Sequence, residues 1–142
     1  MKILIIDGQG GGLGRLLTEA IKKNFSDAVI TAAGTNSTAT ASMLKAGADF
    51  GVTGENGVIV GCRKADVIIG PIGIVIADAL LGEVTPAMAA AVGQSNAKRI
   101  LVPINHCDNI VVGVEDLNIS RLVTCVTDIL KSDRSFILEK DK

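Results

Sequence analysis

The stretch that decides the fold is Lys2-Ile3-Leu4-Ile5-Ile6-Asp7-Gly8-Gln9-Gly10-Gly11-Gly12-Leu13-Gly14, near the start of a chain of 142 residues. Four consecutive apolar residues follow Lys2, which is typical of a short strand buried inside a sheet. Asp7 ends that run, and five of the next seven residues are glycine. Apolar residues then recur at helical spacing, at Leu13, Leu16, Leu17, Ala20 and Ile21. We therefore expect a strand, a glycine-rich loop and a helix in direct succession.

Strands and helices continue to alternate along the rest of the chain. Hydrophobic patterning and turn residues predict four more strands, over 28–33, 67–69, 99–102 and 110–114. Helices are predicted over 37–46, 53–65 and 75–81, from Pro86 onward after a Thr85 cap, and over 120–130. Such alternation is typical of a Rossmann-like, doubly wound parallel sheet with helices on both faces, which is a three-layer αβα sandwich. We expect one domain over 1–131, followed by a charged tail over 132–142.

The composition argues against several classes of protein. The net charge is −1 and the basic residues are scattered, so the basic stripe of a nucleic-acid-binding protein is missing. The three cysteines form no CxxC motif, which argues against a disulfide framework or a zinc site. We expect Cys62 and Cys125 to be buried on apolar helix faces. We recognise neither a signal peptide nor a membrane span, and therefore expect a cytoplasmic protein with no membrane partner.

The predicted strand ends carry residues suited to ligand binding, and the carboxyl ends of parallel strands share one edge of a sheet. A glycine-rich loop lets an anion approach the backbone, and the helix after it points free N–H groups at that anion. We therefore predict a site for a nucleotide, a dinucleotide or another phosphorylated small molecule. Its candidate residues are Asp7, Gly8, Gln9, Gly10, Gly11, Gly12, Leu13, Gly14, Thr35, Asn36, Gly70, Pro71, Gly73, Asn105, Cys107 and Asn109.

Several alternatives stay open. The glycine-rich segment could be a tight turn without a ligand, in a structural or regulatory homo-oligomer. Asp7 could bind magnesium or a ribose hydroxyl, or it could accept N–H bonds within its own loop. An enzyme at the same edge would have Asp7 and Cys107 as its reactive groups. His106, the one histidine, is the neighbour of Cys107, and adjacent loop residues tend to point apart, which argues against a Cys–His catalytic pair. The sparsely charged span 65–97 predicts a homo-oligomer interface within 73–93.

The spacing of Gly8, Gly12 and Gly14 resembles the cofactor loop of the short-chain dehydrogenase/reductase family over about the first twenty residues. That resemblance implies a dinucleotide cofactor. The chain departs from the family elsewhere, since it has no tyrosine for the catalytic Tyr-xxx-Lys motif and no acidic residue after the second strand. Residues 11–15 also resemble the GGxGK motif of deviant Walker ATPases, although Arg15 replaces the lysine and Leu16 replaces the magnesium-binding Ser or Thr.

A second resemblance spans nearly the whole chain. It is carried by Ile-Asp-Gly-Gln-Gly-Gly-Gly-Leu-Gly at 6–14, Gly-Thr-Asn at 34–36, Met-Leu-Lys-Ala-Gly-Ala-Asp at 43–49, Thr-Gly-Glu-Asn at 53–56 and Gly-Pro-Ile-Gly-Ile-Val at 70–75. These segments are similar to a family of small uncharacterised bacterial proteins, carried as a domain of unknown function. The resemblance implies a Rossmann-like fold and no established activity.

Overall fold

A computed structural model of the protein describes residues 1–104 and 108–133. These residues form five strands, five α-helices and one short 3-10 helix. In chain order they are β1 (Lys2–Asp7), α1 (Gly12–Asn24), β2 (Val29–Gly34), α2 (Ser37–Lys45), β3 (Phe50–Thr53), α3 (Glu55–Lys64), β4 (Val67–Pro71), the 3-10 helix (Ile72–Val75), α4 (Pro86–Gln94), β5 (Lys98–Val102) and α5 (Ile119–Ser132).

The five strands form one parallel sheet in the order β3-β2-β1-β4-β5. The chain proceeds outward from β1 to one edge, returns to the other side of β1, and proceeds outward again. This reversal beside β1 defines a doubly wound sheet. The register places Asp7 opposite Gly34 and Gly34 opposite Thr53, so neighbouring strands end together at one edge. We call this edge the carboxyl rim.

Helices cover both faces of the sheet. The helices α1, α2 and α5 pack on one face, and α3 and α4 pack on the other. Alternate residues of β1 separate the two cores, since Ile3 and Ile5 face the first group of helices while Leu4 and Ile6 face the second. All four side chains are buried, as the continuous apolar run predicts for a central parallel strand. The three-layer αβα sandwich is thereby confirmed.

Two helix starts follow the capping rules that predicted them. Asn36 caps α2, where its side-chain oxygen accepts the Ala39 amide at 2.9 Å. Thr85 caps α4 through the Met88 amide at 3.2 Å, and Pro86 occupies the first turn. Among the described residues, no helix has the length and apolar character needed to cross a membrane.

Two predicted elements are wrong, and one observed strand is missing from the prediction. The strand β3 was not predicted; it is a four-residue edge strand whose side chains are not fully buried, so its pattern is weak. Residues 110–114 are not a strand, and Ile110 and Val112 are over nine-tenths exposed. Residues 75–81 are not a helix, because Leu80 and Leu81 have left-handed backbone conformations, which break helical geometry.

The expectation that Cys125 is buried is also wrong, although Cys62 is buried as predicted. The inward stripe of α5 includes Leu122, Val126 and Leu130, and Cys125 lies outside it. At the end of the chain, α5 continues to Ser132, and residues 134–142 of the predicted tail lie outside the described residues.

Candidate functional site

The glycine-rich loop makes a tight turn between β1 and α1. The Gly11 amide donates to the Gly8 carbonyl at 2.9 Å. Gln9 and Gly11 have positive φ angles of 49° and 72°, which reverse the chain direction. The first helical hydrogen bond follows at once, from the Arg15 amide to the Gly11 carbonyl at 2.9 Å. The loop therefore brings the start of α1 directly to the carboxyl rim.

Asp7 holds this loop closed. Its Oδ1 accepts the Gly8 amide at 2.8 Å, and its Oδ2 accepts the Gly14 amide at 2.7 Å. The residue is only 6% exposed. Burial raises the pKa of Asp7; the two amide hydrogen bonds oppose this effect, and the negative charge of Glu83 adds to it. Asp7 therefore accepts N–H bonds within its own loop, which is one of the roles that the sequence left open for this residue.

Three amides of the loop remain available to a ligand. Within residues 1–104 and 108–133, the N–H groups of Gly10, Gly12 and Leu13 have no hydrogen-bond acceptor. Gly10 and Gly12 are exposed. Unpaired amides at the start of a helix carry the positive end of the helix dipole and favour an anion.

The glycines of the loop fall into two groups. A Cβ atom at Gly8 would lie 2.6 Å from the Thr35 hydroxyl, one at Gly11 would lie 2.8 Å from the backbone of Ala39, and one at Gly14 would lie 2.5 Å from the Met43 sulfur. The fold itself requires glycine at these three positions.

Gly10 and Gly12 differ from those three, because a Cβ atom at either would meet no atom within 4 Å. Neither has a positive φ angle. The packing of the fold therefore does not explain these two glycines, and both lie where the backbone opens to solvent.

A second segment approaches the loop from the other side of β1. We call residues 76–84, between the 3-10 helix and α4, the strap. Asp78, Leu80 and Leu81 all have positive φ angles, of 65°, 55° and 56°. Such conformations cost about 1–3 kcal/mol each for residues other than glycine, and they persist where the surrounding structure holds them. The strap is closed on itself by the Asp78 amide, which donates to the Val84 carbonyl at 2.8 Å.

Glu83 joins the strap to the glycine-rich loop and to the end of β2. Its Oε1 accepts the Gln9 amide at 3.1 Å, the Thr35 hydroxyl at 2.9 Å and the Asn36 side-chain amide at 2.5 Å. Burial raises the pKa of Glu83, but these hydrogen bonds together outweigh it and leave the pKa below its ordinary value. The side chain is therefore a carboxylate at neutral pH.

The structure brings several of the predicted residues together. The Thr35 amide donates to the Asp7 carbonyl at 3.0 Å, and the Asn36 side chain donates to the Gln9 carbonyl at 2.9 Å. The ends of β1 and β2 therefore form one connected cluster with the glycine-rich loop. Glu83 was not among the predicted residues, because it lies 48 residues beyond Thr35 in the chain and no local pattern marks it.

The remaining predicted residues lie around this cluster or outside the described parts. Gly70, Pro71 and Gly73 are buried at the end of β4, beside β1. Asn109 is exposed. Asn105 and Cys107 lie outside the described residues.

A cavity of about 530 Å³ lies elsewhere, between α3 and the strands β1, β2 and β3. Leu4, Thr31 and Phe50 line it on the sheet side, and Val60 and Lys64 line it on the helix side. It exists because only two helices cover this face of a five-stranded sheet.

The fold and the loop together define a Rossmann-like α/β protein with a glycine-rich connection between its first strand and first helix. The chain belongs to the family described as domain of unknown function DUF3842, whose model matches residues 2–135. The expected membership of an uncharacterised family is thereby confirmed, and nothing in this match extends the resemblance to short-chain dehydrogenases beyond the loop.

Among solved structures, the chain is similar to a dodecameric FMN-dependent UbiX-like decarboxylase from Escherichia coli O157:H7. The sequences are 17% identical, the TM-score is 0.47, and the match covers 91% of this chain and 76% of the other. No curated protein matches the sequence significantly. The fold assignment rests on the strand order, and the proposals below rest on the geometry of the carboxyl rim.

Proposed function

We propose that this protein binds a nucleotide, a dinucleotide or another phosphorylated small molecule at the carboxyl rim, with the phosphate on the glycine-rich loop. The observation that carries the proposal is the set of unpaired amides of Gly10, Gly12 and Leu13 at the start of α1. N–H groups without an acceptor at the positive end of a helix dipole suit a phosphate group.

The two glycines that packing does not explain support the same proposal. Because a side chain at Gly10 or Gly12 would project into open space, its absence leaves room for an anion to reach the backbone. Asp7 does not compete for that space, since both of its oxygens accept loop amides on the buried side. In this proposal Thr35 and Asn36 border the rest of the ligand, and the segments 70–73 and 105–109 complete the pocket.

No reaction is assigned. Asp7 is only 6% exposed and both of its oxygens accept loop amides, so the described contacts give this carboxylate a structural role. The proposal is therefore one of binding.

The test is a thermal-shift screen with nucleotides, dinucleotides and sugar phosphates, repeated on Gly12→Val. A ligand at 100 times its Kd adds about 2.7 kcal/mol to stability, which raises the melting temperature measurably. We expect Gly12→Val without ligand to melt at the same temperature as the wild type. Its affinity for the ligand should be at least about tenfold lower, which corresponds to about 1.4 kcal/mol.

Cys125→Val is the control, because Cys125 is an exposed residue of the helix α5 and lies outside both the glycine-rich loop and the span 73–93. Equal ligand affinity in the wild type and Gly12→Val would show that the loop is not part of the binding site.

We also propose that the protein forms a homo-oligomer through part of the span 73–93. The supporting observation is Leu81, which is 96% exposed at the tip of the strap. The span 73–93 holds only two charged residues, Asp78 and Glu83, and a sparsely charged surface around an exposed leucine favours contact with a second copy. Sedimentation of the purified protein should show a species larger than the monomer, and a single monomeric species at all concentrations would contradict the proposal.

A further inference from the structure

The two oxygens of Glu83 have different surroundings. Oε1 accepts all three of the donors from Gln9, Thr35 and Asn36. Oε2 has no hydrogen-bond partner within residues 1–104 and 108–133. In the same part of the chain, every buried side-chain oxygen of a residue that is not exposed has a hydrogen-bond partner. Glu83 is half-buried and its Oε2 has no partner, so this oxygen is accessible to solvent. One oxygen fixes the carboxylate in place, and the other is an open acceptor.

We propose that Glu83 is a specificity-determining residue of this site, whose Oε2 accepts a hydrogen bond from a hydroxyl group of the phosphorylated ligand. This inference rests on the proposed function, and it narrows the ligand class to phosphate esters that also carry a hydroxyl donor, such as sugar phosphates and nucleotides.

The position of the carboxylate favours this role. The strand β2 ends in Gly34, and the residues after it, Thr35 and Asn36, have no acidic group of their own. The strap supplies the missing carboxylate from a distant part of the chain and fixes it to these two side chains. In doubly wound folds an acidic group at the end of the second strand is placed to accept ribose hydroxyls.

The charge of Glu83 decides which part of the ligand it meets. A carboxylate repels a phosphate but accepts strongly from a neutral hydroxyl, because a hydrogen bond to a charged group is stronger than one between neutral groups. The phosphate therefore lies at the unpaired amides of Gly10, Gly12 and Leu13, and the hydroxyl-bearing part extends toward the strap.

The strap geometry explains why this acceptor stays in place without the ligand. Three residues with left-handed backbone conformations, Asp78, Leu80 and Leu81, lead into Glu83. The buried Leu80 side chain anchors the strap against Gly8, where a Cβ would come within 2.8 Å of its Cδ1. A carboxylate fixed in this way loses little conformational freedom when a ligand binds.

Glu83→Gln tests the inference with two probes, ribose 5-phosphate and methyl phosphate. The glutamine keeps an oxygen for the three internal donors and replaces the open acceptor with an N–H donor. We expect the wild type to bind ribose 5-phosphate at least about tenfold more tightly than methyl phosphate, as measured by calorimetry. In Glu83→Gln that ratio should fall toward one, and methyl phosphate should bind no more weakly than to the wild type, because a negative charge near the anion is removed.

Two further variants make the result specific. Glu19→Gln removes the same charge from an exposed position on α1 and should leave the ratio as in the wild type. Glu83→Asp keeps the charge on a side chain that is one methylene group shorter, so the carboxylate lies farther from the ligand. The ratio of the two affinities should therefore fall as well. Melting temperatures of all variants check that each one is folded.

The outcomes separate the inference from the function on which it rests. If neither probe binds the wild type, the inference fails, and the proposed function fails with it only when the thermal-shift screen also finds no phosphorylated ligand. If both probes bind equally and Glu83→Gln changes nothing, the loop binds phosphate but the role of Glu83 is wrong. If Glu83→Gln strengthens the binding of both probes by the same factor, Glu83 acts only through its charge on the phosphate, and this too overturns the inference.

Discussion

The carboxyl rim and the cavity beside α3 are two regions of this molecule that offer polar groups or space to a ligand, and they differ in chemistry. The cavity has about 530 Å³ of space with a largely aliphatic lining that includes Leu4 and Val60. The rim offers unpaired amides at the start of α1 and one open carboxylate oxygen on Glu83. Open space alone therefore does not identify the site that suits a phosphorylated molecule.

Each region has its own structural origin. The cavity results from incomplete cover, since two helices cannot shield one whole face of five strands. The rim results from several local features that agree, namely a loop closed by Asp7, a helix that starts there, and a strained strap fixed to it. Directional polar groups held by the backbone are therefore better evidence for the site of a polar ligand than the volume of a cavity is.

The largest expected effect separates the two groups of loop glycines. Gly11→Val should destabilise the protein by about 2–6 kcal/mol, because φ is positive there and the new side chain would meet the Ala39 backbone. Gly12→Val in the same loop should change the free energy of unfolding by less than about 1 kcal/mol. Urea unfolding of both variants measures the contrast. Similar losses in the two would show that Gly12 also has a packing role and would weaken the ligand argument.

Much of the fold could be predicted from the sequence, because its signals are local. The run of four apolar residues after Lys2 predicted β1, and the Thr85-Pro86 pair predicted the start of α4. The edge strand β3 could not be predicted, since it has four residues and only Val52 is partly buried. Conversely, the apolar run 110–114 has the composition of a strand but pairs with nothing and is largely exposed.

The candidate site was predictable to a smaller degree. The glycine-rich loop is contiguous, so its position between a strand and a helix follows from the pattern alone. Glu83 contacts Thr35, Asn36 and Gln9 only because the strap folds back across the end of β1. Backbone conformations such as the positive φ of Leu80 and Leu81 are imposed by this tertiary packing, and no propensity of leucine predicts them.

A smaller effect is expected from the carboxylate that closes the loop. Asp7→Ala leaves the buried Gly8 and Gly14 amides without acceptors and should destabilise the protein by about 1–3 kcal/mol. The pKa of Asp7 is raised in the folded state, so its contribution is complete below its ordinary pKa of 3.8 and declines as pH rises through the folded value. The deficit of the variant should therefore shrink with rising pH.

Urea titrations of the wild type and Asp7→Ala at several pH values between pH 3.5 and pH 7 follow this deficit directly. A deficit that grows toward neutral pH would mean that the ionised carboxylate stabilises the loop more than burial penalises it. That result would reverse the expected balance of burial and hydrogen bonding at Asp7.

The smallest effect is expected at the cavity. Thr31→Val makes its lining more apolar and should change the free energy of unfolding by less than about 0.5 kcal/mol. Phosphate-ester affinity should remain as in the wild type, because no described hydrogen bond joins the Thr31 side chain to the rim. Calorimetry with ribose 5-phosphate measures this. A loss of affinity similar to that of Gly12→Val would place the ligand in the cavity.

Phosphate binding at the glycine-rich loop can be followed residue by residue in a nuclear magnetic resonance titration of ¹⁵N-labelled protein with ribose 5-phosphate. We expect the amide signals of Gly10, Gly12 and Leu13 to shift most, since these N–H groups gain an anionic acceptor. Signals of Leu4, Thr31 and Val60 around the cavity should hardly move. Large shifts at the cavity with an unchanged glycine-rich loop, or no shifts at any position, would contradict phosphate binding at this loop.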